Sequence, residues 1–121
     1  MIEPRRVLVV DDDESIRDLV EMALSAEGHQ VMTAPHGAAA LEAIAASPPD
    51  VILLDMKMPV MDGWAFARAY REAPGPHAPI IVVTAAQDAA RRAADVAADG
   101  HLPKPFDLDE LVRVVTEYGA A

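Results

Sequence analysis

Residues 51–63, VILLDMKMPVMDG, decide how this chain folds. Val51–Leu54 is an uninterrupted apolar run, typical of a central strand that is buried on both faces of a parallel sheet. Asp55 follows directly, and a carboxylate in such a place is costly unless a metal or a cationic side chain compensates it. Taken alone, Asp55 also suits a turn, because Pro59 and Gly63 follow it. The stretch predicts a core strand with a chemically useful carboxylate at its end.

Three further apolar runs end on polar side chains. VLVV precedes Asp11, Asp12 and Asp13; PIIVV precedes Thr84; and the short HLP precedes Lys104. In a parallel α/β sheet the carboxyl ends of the strands share one edge, and ligands bind in the crevice there. We therefore expect carboxylates, a hydroxyl and an ammonium to converge on a single site. Such a set of side chains suits a divalent metal together with a phosphoryl group.

Between these runs, short apolar strands alternate with helical segments, which is typical of repeated βα units. With right-handed crossovers, five such units predict an α/β fold: a flavodoxin-like, doubly wound, five-stranded parallel sheet with five helices. We expect one domain over residues 1–121. The predicted strands are 6–10, 30–34, 51–54, 80–83 and 101–102, and the predicted helices are 14–26, 38–46, 64–72, 88–98 and one that begins after Asp107.

The ends of two helices carry clear signals. Gly28 predicts the stop of the first helix, and Asp107 with Glu110 forms a capping box at the start of the fifth. The fourth helix is mostly alanine, and Val96 is its only large aliphatic residue. Because each alanine buries little area, we expect this helix to be weakly anchored and the most mobile element.

The composition excludes several classes of function. A net charge of −10 over 121 residues argues against direct nucleic-acid binding, which needs clustered lysine and arginine. The absence of cysteine excludes disulfides and thiolate metal sites. No apolar stretch reaches the roughly 20 residues that span a bilayer, and the start of the chain lacks a signal-peptide pattern. Without GxGxxG or a P-loop, nucleotide binding is not expected. A cytoplasmic protein without membrane insertion is predicted.

The acidic run after the first strand has two interpretations. One aspartate at this place caps a helix, and Asp13 is the best placed for that. Asp11 and Asp12, close to a further aspartate from another strand, would repel strongly unless a cation lies between them. Hard oxygen ligands that are few in number suit Mg²⁺, which keeps several waters. Asp55 is then the candidate nucleophile, since carboxylates attack phosphoryl groups to form aspartyl phosphates.

The remaining polar residues are weaker signals. A β-branched residue such as Thr84 is ordinary at a strand end, although its hydroxyl there would reach a phosphoryl oxygen. Lysines are usually solvated, but Lys104 lies between Pro103 and Pro105, and this stiff setting favours a cation placed to neutralise phosphoryl charge. A lone histidine such as His101 is more often a surface or half-buried residue than a ligand.

Four segments together resemble the receiver domain of two-component response regulators. They are VLVVDDD (7–13), VILLDMKMPVMDGW (51–64), PIIVVTA (79–85) and GHLPKPF (100–106). Their order and intervals match the family along essentially the whole chain. The resemblance implies a phosphorylation-activated signalling domain of the single-domain type, one that catalyses only its own phosphorylation and dephosphorylation and is not otherwise an enzyme.

The resemblance also implies roles around the phosphoacceptor. Asp55 would take a phosphoryl group from a histidine kinase or a phosphotransfer protein in a reaction that depends on Mg²⁺. Asp12 would be the direct ligand of the metal, Asp11 would hold metal-bound water, and Lys57 would contribute its backbone carbonyl. Asp55 completes the metal site, and Lys104 would pair with the phosphoryl group.

The switch that the resemblance implies involves Thr84 and His101. Thr84 would turn inward to bind the phosphoryl group, and helix four with its neighbouring surface would take up a second arrangement. The downstream target would be a protein that binds the face from helix four to helix five. The position of His101 usually holds tyrosine or phenylalanine in this family, so histidine here is a departure from the aromatic ring that moves with Thr84.

Two other functions are weighed against the receiver. A haloacid-dehalogenase-like phosphatase would use Asp11 as its nucleophile, because residues 11–15 fit the DxDx(T/S) motif. That match fails later, since no apolar strand ending in an acidic pair follows Lys104, and Asp55 is left without a role. A degenerate receiver, acting only as a constitutive interaction module, would not need the full set of site residues.

Overall fold

The computed structural model describes residues 4–118, and the ends of the predicted domain, 1–3 and 119–121, lie outside the described residues. The strands are β1 (Arg6–Val10), β2 (Gln30–Ala34), β3 (Val51–Leu54), β4 (Ile80–Ala85) and β5 (Gly100–Lys104). The helices are α1 (Glu14–Ala26), α2 (Gly37–Ala46), α3 (Gly63–Glu72), α4 (Ala89–Asp95) and α5 (Leu108–Tyr118). Within the described part of the chain, no helix has the length and apolar content required to cross a membrane.

The strands form one parallel sheet in the order β2-β1-β3-β4-β5. The register aligns Val10 with Leu54, and Leu54 in turn with Val82, so β1 and β3 end at the same level. The predicted α/β fold, a flavodoxin-like, doubly wound sheet of five parallel strands with five helices, is confirmed. Residues that follow β1 and β3 therefore meet at one edge.

Side chains of the central strands alternate between two apolar cores. Leu8 and Ile52 belong to the core that packs against α2, α3 and α4. Val9 and Leu53 belong to the core on the opposite face, which packs against α1 and α5. Because β3 contributes to both cores, all four of its residues are buried. This explains why its sequence is an unbroken apolar run.

The predicted helix signals are confirmed. Asp13 is the N-cap of α1, and its carboxylate accepts hydrogen bonds from two backbone N–H groups of the first turn. Gly28, with a φ of 91°, follows the end of α1. At α5, the Glu110 N–H donates to the Asp107 carboxylate at 2.8 Å, and the Asp107 N–H donates back to Glu110 at 3.5 Å. The predicted capping box is therefore present.

Three elements have an end that differs from the sequence prediction by two residues or more. β4 continues beyond 80–83 to Ala85, because its last two residues pair with β5. β5 is not confined to 101–102 but extends over Gly100–Lys104, because an edge strand tolerates the missing N–H of Pro103. The predicted helix 88–98 ends as α4 at Asp95, because Ala97 takes a left-handed conformation with a φ of 50°.

The C-terminal end of α4 is held by polar contacts from α3, which we term the α3–α4 contact. The buried side chains of α4 itself are alanines, each of which buries little apolar area. The Arg71 guanidinium donates to two carbonyl oxygens that follow the helix, those of Val96 and Ala97, the latter at 2.9 Å. Trp64 Nε1 donates to Asp95 Oδ2 at 3.4 Å, and the Arg92 guanidinium lies 5.0 Å from the centre of the Trp64 ring. These contacts were not predicted.

Replacing Ala97 with glycine is expected to stabilise the protein by about 1 kcal/mol, because an L-residue in the left-handed region is strained and glycine is not. The local hydrogen bonds, Ala98 N–H to Ala93 O at 2.8 Å and Ala97 N–H to Ala94 O at 3.2 Å, form the helix end that favours glycine at this place. Urea unfolding measures the change. Ala90→Gly, at an exposed position inside α4, is the matched control and should destabilise by about 1 kcal/mol. Equal decreases in the free energy of unfolding for Ala97→Gly and Ala90→Gly would contradict the prediction.

Candidate functional site

Asp55 lies immediately after β3 at the carboxyl edge of the sheet. Its main-chain N–H donates to Val10 O at 2.8 Å, and its carboxylate Oδ1 accepts from the Met56 N–H at 2.9 Å. The start of α3 packs onto this strand end, where the Gly63 N–H donates to Met56 O at 2.8 Å. A Cβ atom on Gly63 would come within 2.8 Å of the Asp55 carbonyl oxygen, so only glycine fits there. Strand and loop together fix the position of the Asp55 side chain.

Asp11 and Asp12, which follow β1, bring two more carboxylates to Asp55. One oxygen from each of the three side chains lies within 4.8 Å of the others. Asp11 is buried, with 3% of its surface exposed, whereas Asp12 is exposed. The cluster is therefore closed towards the core and open to solvent on the side of Asp12. A compact group of carboxylate oxygens with one open side is a suitable donor set for a hard divalent cation.

Lys104, at the end of β5, supplies a cation to this cluster. Its Nζ donates to Asp11 Oδ2 at 2.9 Å and lies 3.8 Å from Asp55 Oδ1. The sheet places it there, because β5 pairs with β4 and Lys104 lies opposite Ala85. One ammonium thus lies near two of the three carboxylates. Because Lys104 pairs most closely with Asp11, it compensates the charge of Asp55 only in part.

The electrostatics of Asp55 show that its charge is undercompensated. The pKa of its carboxyl is raised from 3.8 to about 6, first by burial and next by the neighbouring Asp11 charge. Lys104 and the Met56 N–H lower this pKa, and Asp12 makes a smaller contribution that raises it. Asp55 is therefore mostly ionised at neutral pH, but at a cost that a bound cation would remove. The chemistry of the residues present fits a divalent metal.

The other predicted site residues lie on β4, on β5 and in the segment after β3. Thr84 is a buried residue of β4, opposite Pro103 in the neighbouring strand. His101 is an exposed residue of β5, opposite Val82. Lys57 is exposed, two residues after Asp55. Among the hydrogen bonds and ion pairs within residues 4–118, none joins the side chain of Thr84 or His101 to Asp55.

Sequence reasoning missed three groups that hold the site. Arg17 of α1 donates from Nη1 to the Asp11 carbonyl oxygen at 2.7 Å, and the Asp13 N–H donates to Asp11 Oδ1 at 2.9 Å. The Met56 N–H, which binds Asp55, is the third. Two of these groups are backbone N–H donors, which residue identity does not reveal. Arg17 did carry a signal, because it is the one basic residue in a helix with several acidic side chains, namely Glu14, Asp18 and Glu21.

A doubly wound parallel sheet with an acidic cluster and a lysine at its carboxyl edge defines an α/β domain with a candidate cation site. Comparison with known families then gives a specific result. The sequence profile described as "Response regulator receiver domain" matches residues 7–116. The chain belongs to the response regulator receiver family, and its place is in two-component signalling.

Individual relatives agree with this assignment. The chain is 43% identical over 111 residues to the response regulator MprA of Mycolicibacterium vanbaalenii, covering 90% of this chain and 48% of that protein. It is 44% identical over 109 residues to MprA of Mycobacterium ulcerans, covering 88% and 47%. The chain thus spans about half the length of the curated relatives that it matches.

Solved structures share the fold along nearly the full chain. The chemotaxis protein CheY4 of Vibrio cholerae has a TM-score of 0.83 and 32% identity, covering 96% of this chain and 99% of that one. The receiver domain of NtrX from Brucella abortus has a TM-score of 0.84 and 32% identity, covering 93% and 96%. The alternative, a haloacid-dehalogenase-like phosphatase with Asp11 as nucleophile, has no support from these relatives.

Proposed function

We propose that this receiver domain is switched by transfer of a phosphoryl group to Asp55 from a histidine kinase or a phosphotransfer protein. The observation that carries the proposal is the position of Asp55 at the end of the doubly buried β3, within 4.8 Å of the Asp11 and Asp12 oxygens and 3.8 Å from Lys104 Nζ. Within residues 4–118 its Oδ2 accepts no hydrogen bond, so this oxygen is available to attack. Asp11 is less suited to attack, because both of its carboxylate oxygens already accept hydrogen bonds.

In the proposed reaction a carboxylate oxygen of Asp55 attacks the phosphorus of a phosphohistidine. An oxygen–phosphorus bond forms, the phosphorus–nitrogen bond breaks, and the imidazole leaves with the bonding electron pair. Carboxylate oxygens of Asp11, Asp12 and Asp55, with the backbone carbonyl of Lys57, would hold Mg²⁺, which supplies neutralising charge when bound. The protein supplies mainly position and charge, which is what phosphoryl transfer requires.

Lys104 and Thr84 are the proposed partners of the acquired phosphoryl group. Lys104 Nζ needs only a short displacement from Asp11 towards Asp55, because it already lies between their oxygens. The Thr84 hydroxyl, near the end of β4, would donate to a phosphoryl oxygen. The domain would catalyse its own phosphorylation and dephosphorylation and would turn over no separate substrate.

The proposed output is a change in the surface formed by α4, β5 and α5, which would bind a downstream target protein. Thr84 is the penultimate residue of β4, shortly before the segment that leads into α4, so its movement would be transmitted to that helix. His101 lies on β5 within the same surface and is exposed. Histidine would move there in place of the usual aromatic ring. No direct contact with nucleic acid is proposed for this strongly acidic domain.

The proposal is tested by incubating the protein with acetyl phosphate and Mg²⁺. We expect a covalent phosphoryl adduct that hydroxylamine removes, detected by mass spectrometry, and no adduct when Mg²⁺ is chelated. Peptide mapping should locate the group on Asp55. Sustained hydrolysis of a generic phosphate ester that Asp11→Asn abolishes and Asp55→Asn leaves intact would overturn the proposal in favour of the phosphatase.

A further inference from the structure

Arg17 binds the backbone of the acidic cluster from the neighbouring helix. It lies at the end of the first turn of α1, four residues after the N-cap Asp13, and its Nη1 donates to the Asp11 carbonyl oxygen at 2.7 Å. The side chain is half-buried. Within residues 4–118 no carboxylate lies at ion-pair distance from it, although α1 contains three acidic residues. The guanidinium is thus committed to a backbone carbonyl and not to the acidic surface of its own helix.

This contact completes the immobilisation of Asp11. The Asp11 N–H donates to Ala34 O at 3.1 Å, Oδ1 accepts from the Asp13 N–H at 2.9 Å, and Oδ2 accepts from Lys104 at 2.9 Å. The carbonyl oxygen, bound by Arg17, belongs to the peptide group that joins Asp11 to Asp12. The orientation of that peptide sets the direction in which the Asp12 side chain leaves the main chain. Asp12 itself is exposed, so its direction depends on the backbone more than on packing.

We propose that Arg17 is a positioning residue for the cation site. It fixes the Asp11–Asp12 peptide so that both carboxylates face Asp55 before a cation arrives. The inference rests on the proposed function, since it assumes that these carboxylates bind Mg²⁺. It adds a role for a residue of α1 that is not among the proposed ligands of the metal or partners of the phosphoryl group.

Charge and geometry predict opposite effects of removing Arg17. The guanidinium is positive, so by charge alone its loss would make the site more attractive to Mg²⁺. If its role is to orient the peptide, its loss frees the Asp12 carboxylate and weakens binding, as loss of an outer ligand-orienting group commonly does by about tenfold or more. The sign of the change in affinity therefore separates the two.

The experiment is isothermal titration of Mg²⁺ into the metal-free wild type, Arg17→Met and Arg17→Lys. We expect Arg17→Met to weaken Mg²⁺ binding by about tenfold. Arg17→Lys keeps the charge but has a different reach. We expect its Mg²⁺ affinity to be about threefold lower than that of the wild type, and therefore higher than that of Arg17→Met. Arg113→Met, which removes an exposed arginine of α5, is the control and should change the affinity little. Thermal unfolding checks that each variant is folded. If Arg17→Met does not fold, the affinity of Arg17→Lys is compared with that of the wild type instead.

Amide chemical shifts give a second readout that does not depend on the metal. In the metal-free protein, Arg17→Met should shift the Asp12 and Asp13 amide signals more than Arg113→Met does. If the wild type binds Mg²⁺ and Arg17→Met binds it equally well or more tightly, the role of Arg17 is refuted while the proposed function stands. A wild type that binds no Mg²⁺ would refute the proposed function and this inference with it.

Discussion

Replacing Asp55 with asparagine is expected to abolish phosphoryl uptake and, at the same time, to stabilise the metal-free protein. The first effect follows because an amide oxygen is not a nucleophile for phosphorus under these conditions. The second follows because burial and the Asp11 charge make the ionised form of Asp55 costly in the folded state. A residue that lowers stability while performing the chemistry is the usual sign of a functional site.

The sign of the pH dependence follows from the raised pKa. Folding raises the pKa of Asp55 from 3.8 to about 6, so its contribution to stability is fully present at low pH and is lost as the pH rises through 6. Asparagine does not titrate. The difference in stability between the variant and the wild type should therefore grow between about pH 4 and pH 6 and remain constant above pH 6. At neutral pH we expect the free energy of unfolding of Asp55→Asn to exceed that of the wild type by about 1 to 2 kcal/mol. One pKa unit corresponds to about 1.4 kcal/mol, and solvent at this edge weakens part of the shift.

Urea unfolding without metal at several pH values measures this difference. Asp18→Asn, an exposed position of α1, is the control that removes one negative charge away from the site. It should leave both the phosphoryl uptake and the shape of the pH profile unchanged. Equal stability of the wild type and Asp55→Asn at neutral pH would show that the Asp55 charge is fully compensated.

Replacing Lys104 with methionine is expected to slow phosphoryl uptake by about 100-fold, because a placed cation that meets developing charge contributes on that order. It should also raise the pKa of Asp55 further, since Lys104 is the side chain that lowers it. Stability should fall by about 2 kcal/mol, because the buried Asp11 carboxylate loses its ion-pair partner at 2.9 Å. Rates of adduct formation, the titration of the Asp55 carboxyl by NMR and urea unfolding measure the three effects.

A double-mutant cycle separates the two roles of Lys104. With Asp11→Asn in the background, Lys104→Met should cost less stability than in the wild type, because the 2.9 Å ion pair with Asp11 is already absent and only the 3.8 Å approach to Asp55 is lost. Phosphoryl uptake should remain slow in that background. Arg113→Met is the control for loss of one positive charge. A full stability loss in the Asp11→Asn background would show that Lys104 stabilises the fold through contacts other than Asp11.

Residue identity and periodicity were sufficient to predict the sheet and the place of Asp55. An apolar run as continuous as Val51–Leu54 fits a strand between two helical layers, and a charged residue after it must reach the edge. The extent of β5 was harder to predict, because Pro103 lacks a backbone donor and therefore indicates a strand end. The end of α4 was missed since Ala97 adopts a conformation that glycine usually signals.

The contacts that orient the site were beyond sequence reasoning for a different reason. Arg17 and Arg71 bind backbone carbonyls of other elements, and a carbonyl is present at every position, so no pairing of residue types reveals such a contact. The interaction of Trp64 with Asp95 depends on how α3 and α4 pack, which local patterns do not encode. Tertiary geometry alone determines these contacts.

The α3–α4 contact gives the protein a built-in optical probe. Trp64 is the only tryptophan in the 121 residues, so the indole emission of the whole protein comes from one ring. That ring donates to the Asp95 carboxylate and lies under the Arg92 guanidinium, both of which belong to α4. Its fluorescence is therefore expected to change when the contact between the two helices changes. Rearrangement of α4 can be timed by stopped flow on the unlabelled chain, with no dye added to the surface that a partner would bind.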